Sequence, residues 1–322
     1  MASHSLESQI NHAISKNFKR GMSKHSYKRE NGRDYGAIIF SDSEKKGLMD
    51  LSKNLSGFIK KNYPNIKKVI DIRQEHLDAF LKSKTANCRQ TTLNTYAVNI
   101  EKIGKCCNSV YKIPLKKWKA EKEVYTIDKS SLKGNQDARL RTLVMKTEDF
   151  NLAMSKGQMC ESKQALYVCY NFGLRAREVV GIRLQDIKEN SLYIKNGKGG
   201  RHRELIADTP QKRACLENLR EYTKNRGITA KGKDKTERIF KVKADSVNNY
   251  LNTTLRRAGI TKYNSQKTGI HAIRKAFATS EYQRYRAEGL NHRKAWGNVS
   301  EELGHGRDRN ELFQVYVGNI NK

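Results

Sequence analysis

The sequence predicts a mainly α-helical protein whose C-terminal half adds a small antiparallel sheet, and three observations carry that expectation. Apolar residues between Ser43 and Tyr111 recur at three- and four-residue steps, the period of amphipathic helices. Between Pro114 and Arg141 that period gives way to Lys, Glu, Ser, Gly and Asp, which marks a linker between two folding units. Further on, two short apolar stretches flank a glycine-rich segment, the pattern of a hairpin. With 322 residues the chain also exceeds what one core usually organises.

Residues 1–35 carry Lys16, Lys19, Arg20, Lys24, Lys28, Arg29 and Arg33 with little apolar periodicity, and are expected to form a basic N-terminal arm. Residues 36–113 read as a small helical domain. Leu48, Leu51, Leu55, Phe58 and Ile59 place a helix over Ser43 to Tyr63, stopped by Pro64. A second runs from Gln74 to Leu81, and a third from Thr91 to Tyr111 along Leu93, Tyr96, Ala97, Ile100, Ile103 and Cys107. Such stripes are core, with Lys and Arg facing outward. Residues 114–142 are the expected linker, and 143–322 the second domain.

That domain opens at Thr147, where Glu148 and Asp149 suit a helix N-terminus. Ala165, Leu166, Val168, Cys169 and Phe172 make Lys163 to Phe172 a buried helix closed by Gly173. Another helix is expected directly after, from Ala176 to Arg183. Leu192 to Lys195 and Glu204 to Ala207 read as strands around the tip Asn196-Gly197-Lys198-Gly199-Gly200. Val247, Leu251, Leu255 and Ala258 mark a helix capped by Asp245 or Ser246 and stopped by Gly259.

The formal net charge is +31, from 64 Lys+Arg against 33 Asp+Glu. Self-repulsion on that scale calls for a polyanionic partner, and nucleic acid is the first candidate because neutralised phosphates release counterions. A membrane surface is the rival, but no apolar stretch approaches the roughly 20 residues of a spanning helix. Met1 to Ile10 is polar rather than leader-like. A cytoplasmic, nucleoid-associated protein is the resulting expectation. Cys88, Cys106, Cys107, Cys160, Cys169 and Cys215 show no C-x-x-C pair, so they read as small buried side chains without a metal.

Four segments hold chemistry-bearing residues. Gly173-Leu174-Arg175-Ala176-Arg177-Glu178-Val179 offers a guanidinium with a carboxylate three residues on, which share a helical face. The hairpin tip presents Lys198; the nucleotide-binding G-x-x-x-x-G-K-[ST] pattern is absent there, and no helix is expected directly after the hairpin. His271-Ala272-Ile273-Arg274, continued by Phe277-Ala278-Thr279, puts two polar heads on one face. Leu303-Gly304-His305 precedes Gln314-Val315-Tyr316-Val317. Singly, each has a structural explanation: a helix start, a solvated turn, a core histidine, one of 15 tyrosines.

Together and in this order they resemble the tyrosine recombinases of the phage integrase family. The resemblance implies that Arg175 and Arg274 clamp a phosphate, whose equatorial oxygens suit planar guanidinium forks, with Glu178 supporting Arg175. It implies that Lys198 protonates the leaving 5′ oxygen, that His271 assists proton movement and that His305 donates to a phosphate oxygen. Tyr316 is then the nucleophile, giving a 3′-phosphotyrosyl intermediate that conserves the bond for rejoining. Lys275 stands where the family often has a second histidine, and Gly306 to Asn310 looks like an expanded loop.

The resemblance makes 36–113 a core-binding domain that grips double-stranded DNA with the catalytic domain, 143–322. It implies a homotetramer on DNA, accessory DNA-bending proteins, and no metal or other cofactor. Integration or excision of a prophage or mobile element is the expected task. Two alternatives remain open at this point: a non-catalytic DNA-binding protein on the same scaffold, and topoisomerase-like strand passage.

Overall fold

The computed structural model describes residues 5–22, 24–32, 35–112, 118–128, 143–195, 197, 202–226, 238–265 and 268–317. The chain divides into two compact units, Met1–Ala138 and Arg139–Lys322.

The first unit is helical: α1 (Leu6–Lys16), α2 (Lys24–Asn31), α3 (Asp42–Asn62), a 3-10 turn at Val69–Asp71, α4 (Gln74–Lys84), α5 (Gln90–Tyr111) and the short α6 (Lys122–Tyr125). The expected stripes face inward. Leu48, Leu51, Leu55 and Ile59 of α3 meet Leu77, Phe80 and Leu81 of α4 and Leu93, Ile100 and Ile103 of α5 in one core. The start of α3 is fixed by Ser41, whose Oγ accepts from the Glu44 amide at 3.1 Å.

Two expectations need correction here. The basic arm predicted for 1–35 contains α1, and its Leu6, Ile10, Ala13 and Ile14 are buried in that same core. Their spacing is helical, but they are few and scattered among Ser, Glu, Gln, Asn and His. Buried Asn17 secures the end of the helix, donating from Nδ2 to Ala13 O at 2.9 Å, Ser109 Oγ at 2.9 Å and Cys106 O at 3.3 Å. The predicted linker also contributes to the fold: Trp118, Ala120 and Tyr125 belong to the core. Gly104 accommodates Trp118, since a Cβ there would lie 2.7 Å from the Trp118 Cβ.

The second unit comprises α7 (Thr147–Ser155), α8 (Glu161–Phe172), α9 (Ala176–Val179), a 3-10 turn at Leu184–Asp186, strands β1 (Ser191–Ile194) and β2 (Arg203–Ile206), α10 (Pro210–Asn225), α11 (Ala244–Arg257), α12 (Lys262–Ser265), α13 (Ile270–Ala287), α14 (His292–Glu302), a 3-10 turn at Asn310–Leu312 and α15 (Phe313–Tyr316). The strands pair antiparallel with Leu192 opposite Leu205 and Ile194 opposite Arg203. Most of the hairpin tip, Lys198 included, lies outside the described residues.

The helix expected over Ala176 to Arg183 stops at Val179. Val179, Val180 and Ile182 are β-branched and surround Gly181, a combination of low helix propensity. The Ile182 carbonyl instead accepts from the Ile239 amide at 3.0 Å. The start of α11 also differs: Lys243 is the N-cap and Asp245 sits in the first turn, where its charge complements the helix dipole. A helix does follow the hairpin, α10, opened by Thr209 accepting from the Lys212 amide at 3.2 Å and by Pro210 at its first position.

Two cores support this unit. One gathers Phe150, Leu166, Phe172, Leu192, Leu251 and Ile273; the other joins Phe277 and Tyr282 of α13 to Trp296, Val299, Phe313 and Tyr316. Gly173 closes α8 at φ 60°, and a Cβ there would stand 2.3 Å from the Phe277 ring. Gly173→Ala is therefore expected to lower stability by about 2 kcal/mol or more, combining left-handed backbone strain with overpacking. Chemical denaturation of the full chain checks this; an unchanged midpoint would show that α13 yields at no cost.

Candidate active site

Each candidate side chain is placed by a local rule. Arg175 is the N-cap of α9, and its own amide donates to Glu178 Oε2 at 3.0 Å while its Nη1 donates to Glu178 Oε1 at 2.8 Å. One carboxylate thus fixes both the backbone and the side chain of that arginine. His305 is placed by the way α14 ends. Gly304, at φ 74°, donates its amide to Glu301 O at 2.7 Å, and the His305 amide donates to Ser300 O at 2.9 Å. This is a Schellman closure, so Leu303-Gly304-His305 reads as helix end, left-handed glycine and a histidine locked just beyond.

Arg274, on α13, is fully buried. Its Nη1 donates to the Gly173 carbonyl and its Nη2 to the Leu303 carbonyl, so the glycine-led turn before Arg175 and the end of α14 both hold it. Its Nε has no hydrogen-bond partner among the described residues. Tyr316 is carried on α15, one short turn held against α14 by Trp296, whose Nε1 donates to Arg309 O at 3.0 Å. Trp296 and Phe313 meet edge to face at 5.5 Å.

These elements converge. His305 Nε2 lies 3.0 Å from Tyr316 Oη, 3.3 Å from Arg175 Nη2 and 3.5 Å from Arg274 Nη2. The Arg274 guanidinium also stands 5.6 Å from the Tyr316 ring centroid. His271 lines a groove of about 690 Å³ together with Arg175, Arg177 and Arg274. Lys275, next to Arg274, is buried, and burial lowers its pKa.

Electrostatically the site is three guanidiniums organised by one carboxylate. Arg203 Nη2 and Nη1 donate to Glu178 at 2.9 and 3.2 Å, and Arg274 Nη1 lies 3.9 Å from it. Burial alone would raise the Glu178 carboxyl, but the hydrogen bonds and charge of Arg203, the charge of Arg274 and the Arg175 amide outweigh it and hold the group at about 2. Burial, then the neighbouring charge of Arg175, brings Arg274 down to about 10 despite Tyr316 and Glu178. It stays cationic at neutral pH.

A pH dependence follows from the depressed carboxyl. Its ordinary value is 4.5 and its folded value about 2, so its stabilisation is complete above about pH 5 and lost as pH falls toward 2. The stake is roughly 3 kcal/mol. Glu178→Gln is expected to be destabilised at pH 7 and to lose stability less steeply than wild type between pH 5 and 2. Parallel acid profiles for the two chains would contradict this.

The structure therefore brings Arg175, Glu178, Arg274, His305 and Tyr316 together and places His271 on the adjoining groove; Lys198 is outside the described residues. Sequence reasoning missed Arg203. The available signal was strand alternation, which turns Arg203 to the same face as the buried Leu205. Cys106, Cys107, Cys169 and Cys215 are buried as expected, whereas Cys160 is exposed. Among the described residues no group of three or more His, Cys, Asp or Glu is placed to hold a metal ion, and no helix is long and apolar enough to cross a membrane.

Residues 141–300 match the phage integrase family. No curated protein matches the chain. Among solved structures, lambda integrase (75-356) as a dimer bound to a COC' core site shares the fold with a TM-score of 0.61 at 12% identity, covering 94% of this chain and 98% of that one. XerH site-specific recombinase bound to difH substrate gives 0.58 at 16% identity over 98% and 94%. The Tn1549 transposon integrase in complex with transposon right end DNA gives 0.55 at 12% over 97% and 95%. The matched segment carries Arg175, Arg203, His271 and Arg274 within this fold, and through it the chain belongs to the phage integrase family, the tyrosine recombinases that break and rejoin DNA at specific sites.

Proposed function

We propose that this chain is the integrase of a prophage or other mobile element, cleaving double-stranded DNA through Tyr316. The observation that carries the reading is the 3.0 Å separation of Tyr316 Oη from His305 Nε2, which itself stands 3.3 and 3.5 Å from two arginines. A phosphate seated among Arg175, Arg274 and His305 has its developing charge met by fixed cationic donors. The phenolic oxygen forms a bond to phosphorus as the bond to the 5′ oxygen breaks, and the 3′ end remains on Tyr316.

The phenol proton passes to a neighbouring base, with His271 the assigned carrier, and Lys198 returns one to the 5′ oxygen. Religation reverses each transfer, with a new 5′ hydroxyl as nucleophile, so neither ATP nor an oxidant enters the balance. Exchange between two sites calls for four copies of the chain, with DNA-bending accessory proteins as further partners. A lambda integrase tetramer bound to a Holliday junction is among the solved structures of this fold. The charge of +31 supports the grip on duplex phosphates.

The test is covalent trapping. A pool of randomised duplexes, each nicked near its centre so that the severed end diffuses away, is incubated with the full chain, and DNA that stays with denatured protein is recovered. The expected product links a 3′ phosphate to the peptide containing Tyr316 and leaves a free 5′ hydroxyl. Absence of linked DNA, or linkage to another residue, would sink the reading. Strand exchange between two labelled duplexes of the recovered sequence then separates recombination from supercoil relaxation.

A further inference from the structure

One guanidinium bonds both to the carboxylate that holds Arg175 and to the end of the helix that precedes His305. Arg203 sits on β2, 7% exposed at its side chain. Its Nη2 and Nη1 donate to the two oxygens of Glu178 at 2.9 and 3.2 Å, and its Nε donates to the Glu302 carbonyl at 2.7 Å. All three nitrogens are engaged. Glu178 is the carboxylate that holds Arg175, and Glu302 is the last residue of α14, just before the turn that carries His305. Gly304 supplies a separate observation: a Cβ there would lie 2.8 Å from Arg203 Nη1, so the guanidinium uses the space a side chain at 304 would need.

We propose that Arg203 is a positioning residue of strand cleavage, holding Glu178, and through it Arg175, in register with the turn that presents His305. The proposal rests on the phosphoryl-transfer reading above. The simpler role for Arg203 is to balance the charge of buried Glu178. An ammonium can do that, whereas two parallel bonds to a carboxylate plus a third to a carbonyl need the planar fork of arginine. A pocket whose two arginines and histidine come from α9, α13 and the end of α14 is sensitive to small shifts, because misplacement by about 1 Å costs on the order of 100-fold in rate.

The deciding variants are Arg203→Lys, which keeps the charge and loses the fork, and Arg203→Gln, which keeps a donor and loses the charge. Each full-length chain is titrated with orthovanadate, a tetrahedral phosphate analogue that becomes five-coordinate like the reacting phosphorus when an oxygen adds to it, with the His305 ring followed by NMR. Cleavage of the trapped duplex is measured in a single turnover, separately from duplex affinity. For Arg203→Lys, duplex affinity is expected to stay within about twofold while cleavage slows roughly 10- to 100-fold. Vanadate affinity should fall in step and the His305 titration should move from its wild-type position.

An Arg203→Lys chain that cleaves and binds vanadate like wild type overturns the proposal and leaves a charge-balancing role. So does loss of its folded near-UV signal, which assigns Arg203 to stability alone. Should Arg203→Gln fail to fold, the lysine variant decides by itself. A wild-type chain that binds vanadate at His305 but traps no DNA instead overturns the functional reading, and this proposal with it.

Discussion

Tyr316→Phe is expected to abolish covalent trapping, a fall of at least about 10⁴-fold, while duplex affinity stays within about twofold. The substitution removes the reacting atom and little else. The ring is buried beside Trp296 and His305, at centroid distances of 6.5 and 5.3 Å, and under the Arg274 guanidinium at 5.6 Å. Phenylalanine keeps all of that packing. Without the hydroxyl, the hydrogen bond to His305 at 3.0 Å disappears; such a bond is worth about 1 kcal/mol, so α15 should remain seated. Trapping and a filter or mobility assay on the same preparation separate the two effects. Adduct formation that survives in Tyr316→Phe would place the nucleophile elsewhere among the 15 tyrosines.

The helical stripes were legible where apolar side chains met in runs. Leu48, Leu51, Leu55 and Ile59, like Leu93, Ile100 and Ile103, lie in the core their spacing implies, because a 3.6-residue period leaves one face to bury. In α1 and α10 the same physics was hidden: Ile10 and Ile14, or Cys215, Leu216 and Leu219, are embedded among polar and charged neighbours. The chemistry behaved differently. Its residue types were visible as motifs, yet their meeting was not, since Arg175 and His305 are 130 positions apart and no local period reports a tertiary contact. Arg203 was missed because the expected strand began at Glu204, one position after it, whereas β2 begins at Arg203 itself; alternation from Leu205 would have turned it inward, but only folding reveals Glu178 beneath it.

Arg274→Ala is expected to slow cleavage by about 10³-fold or more, with duplex affinity changed far less, since a donor placed for the transition state acts on rate. The structure adds a second consequence. Arg274 is fully buried and donates to the carbonyls of Gly173 and Leu303, so its removal strips both of their donor and leaves Glu178 with one cation fewer nearby. Stability should fall by roughly 3 kcal/mol, the scale for breaking a buried charge network. Arg274→Lys distinguishes the two roles. It retains a charge near Glu178, but a single ammonium cannot span two carbonyls and a phosphate at once. The lysine chain should recover part of the lost stability and little of the lost rate, measured by denaturation and single-turnover trapping in parallel. If rate and stability instead return together, the guanidinium serves the fold alone, and the charge that meets the phosphate has to come from Arg175 and His305.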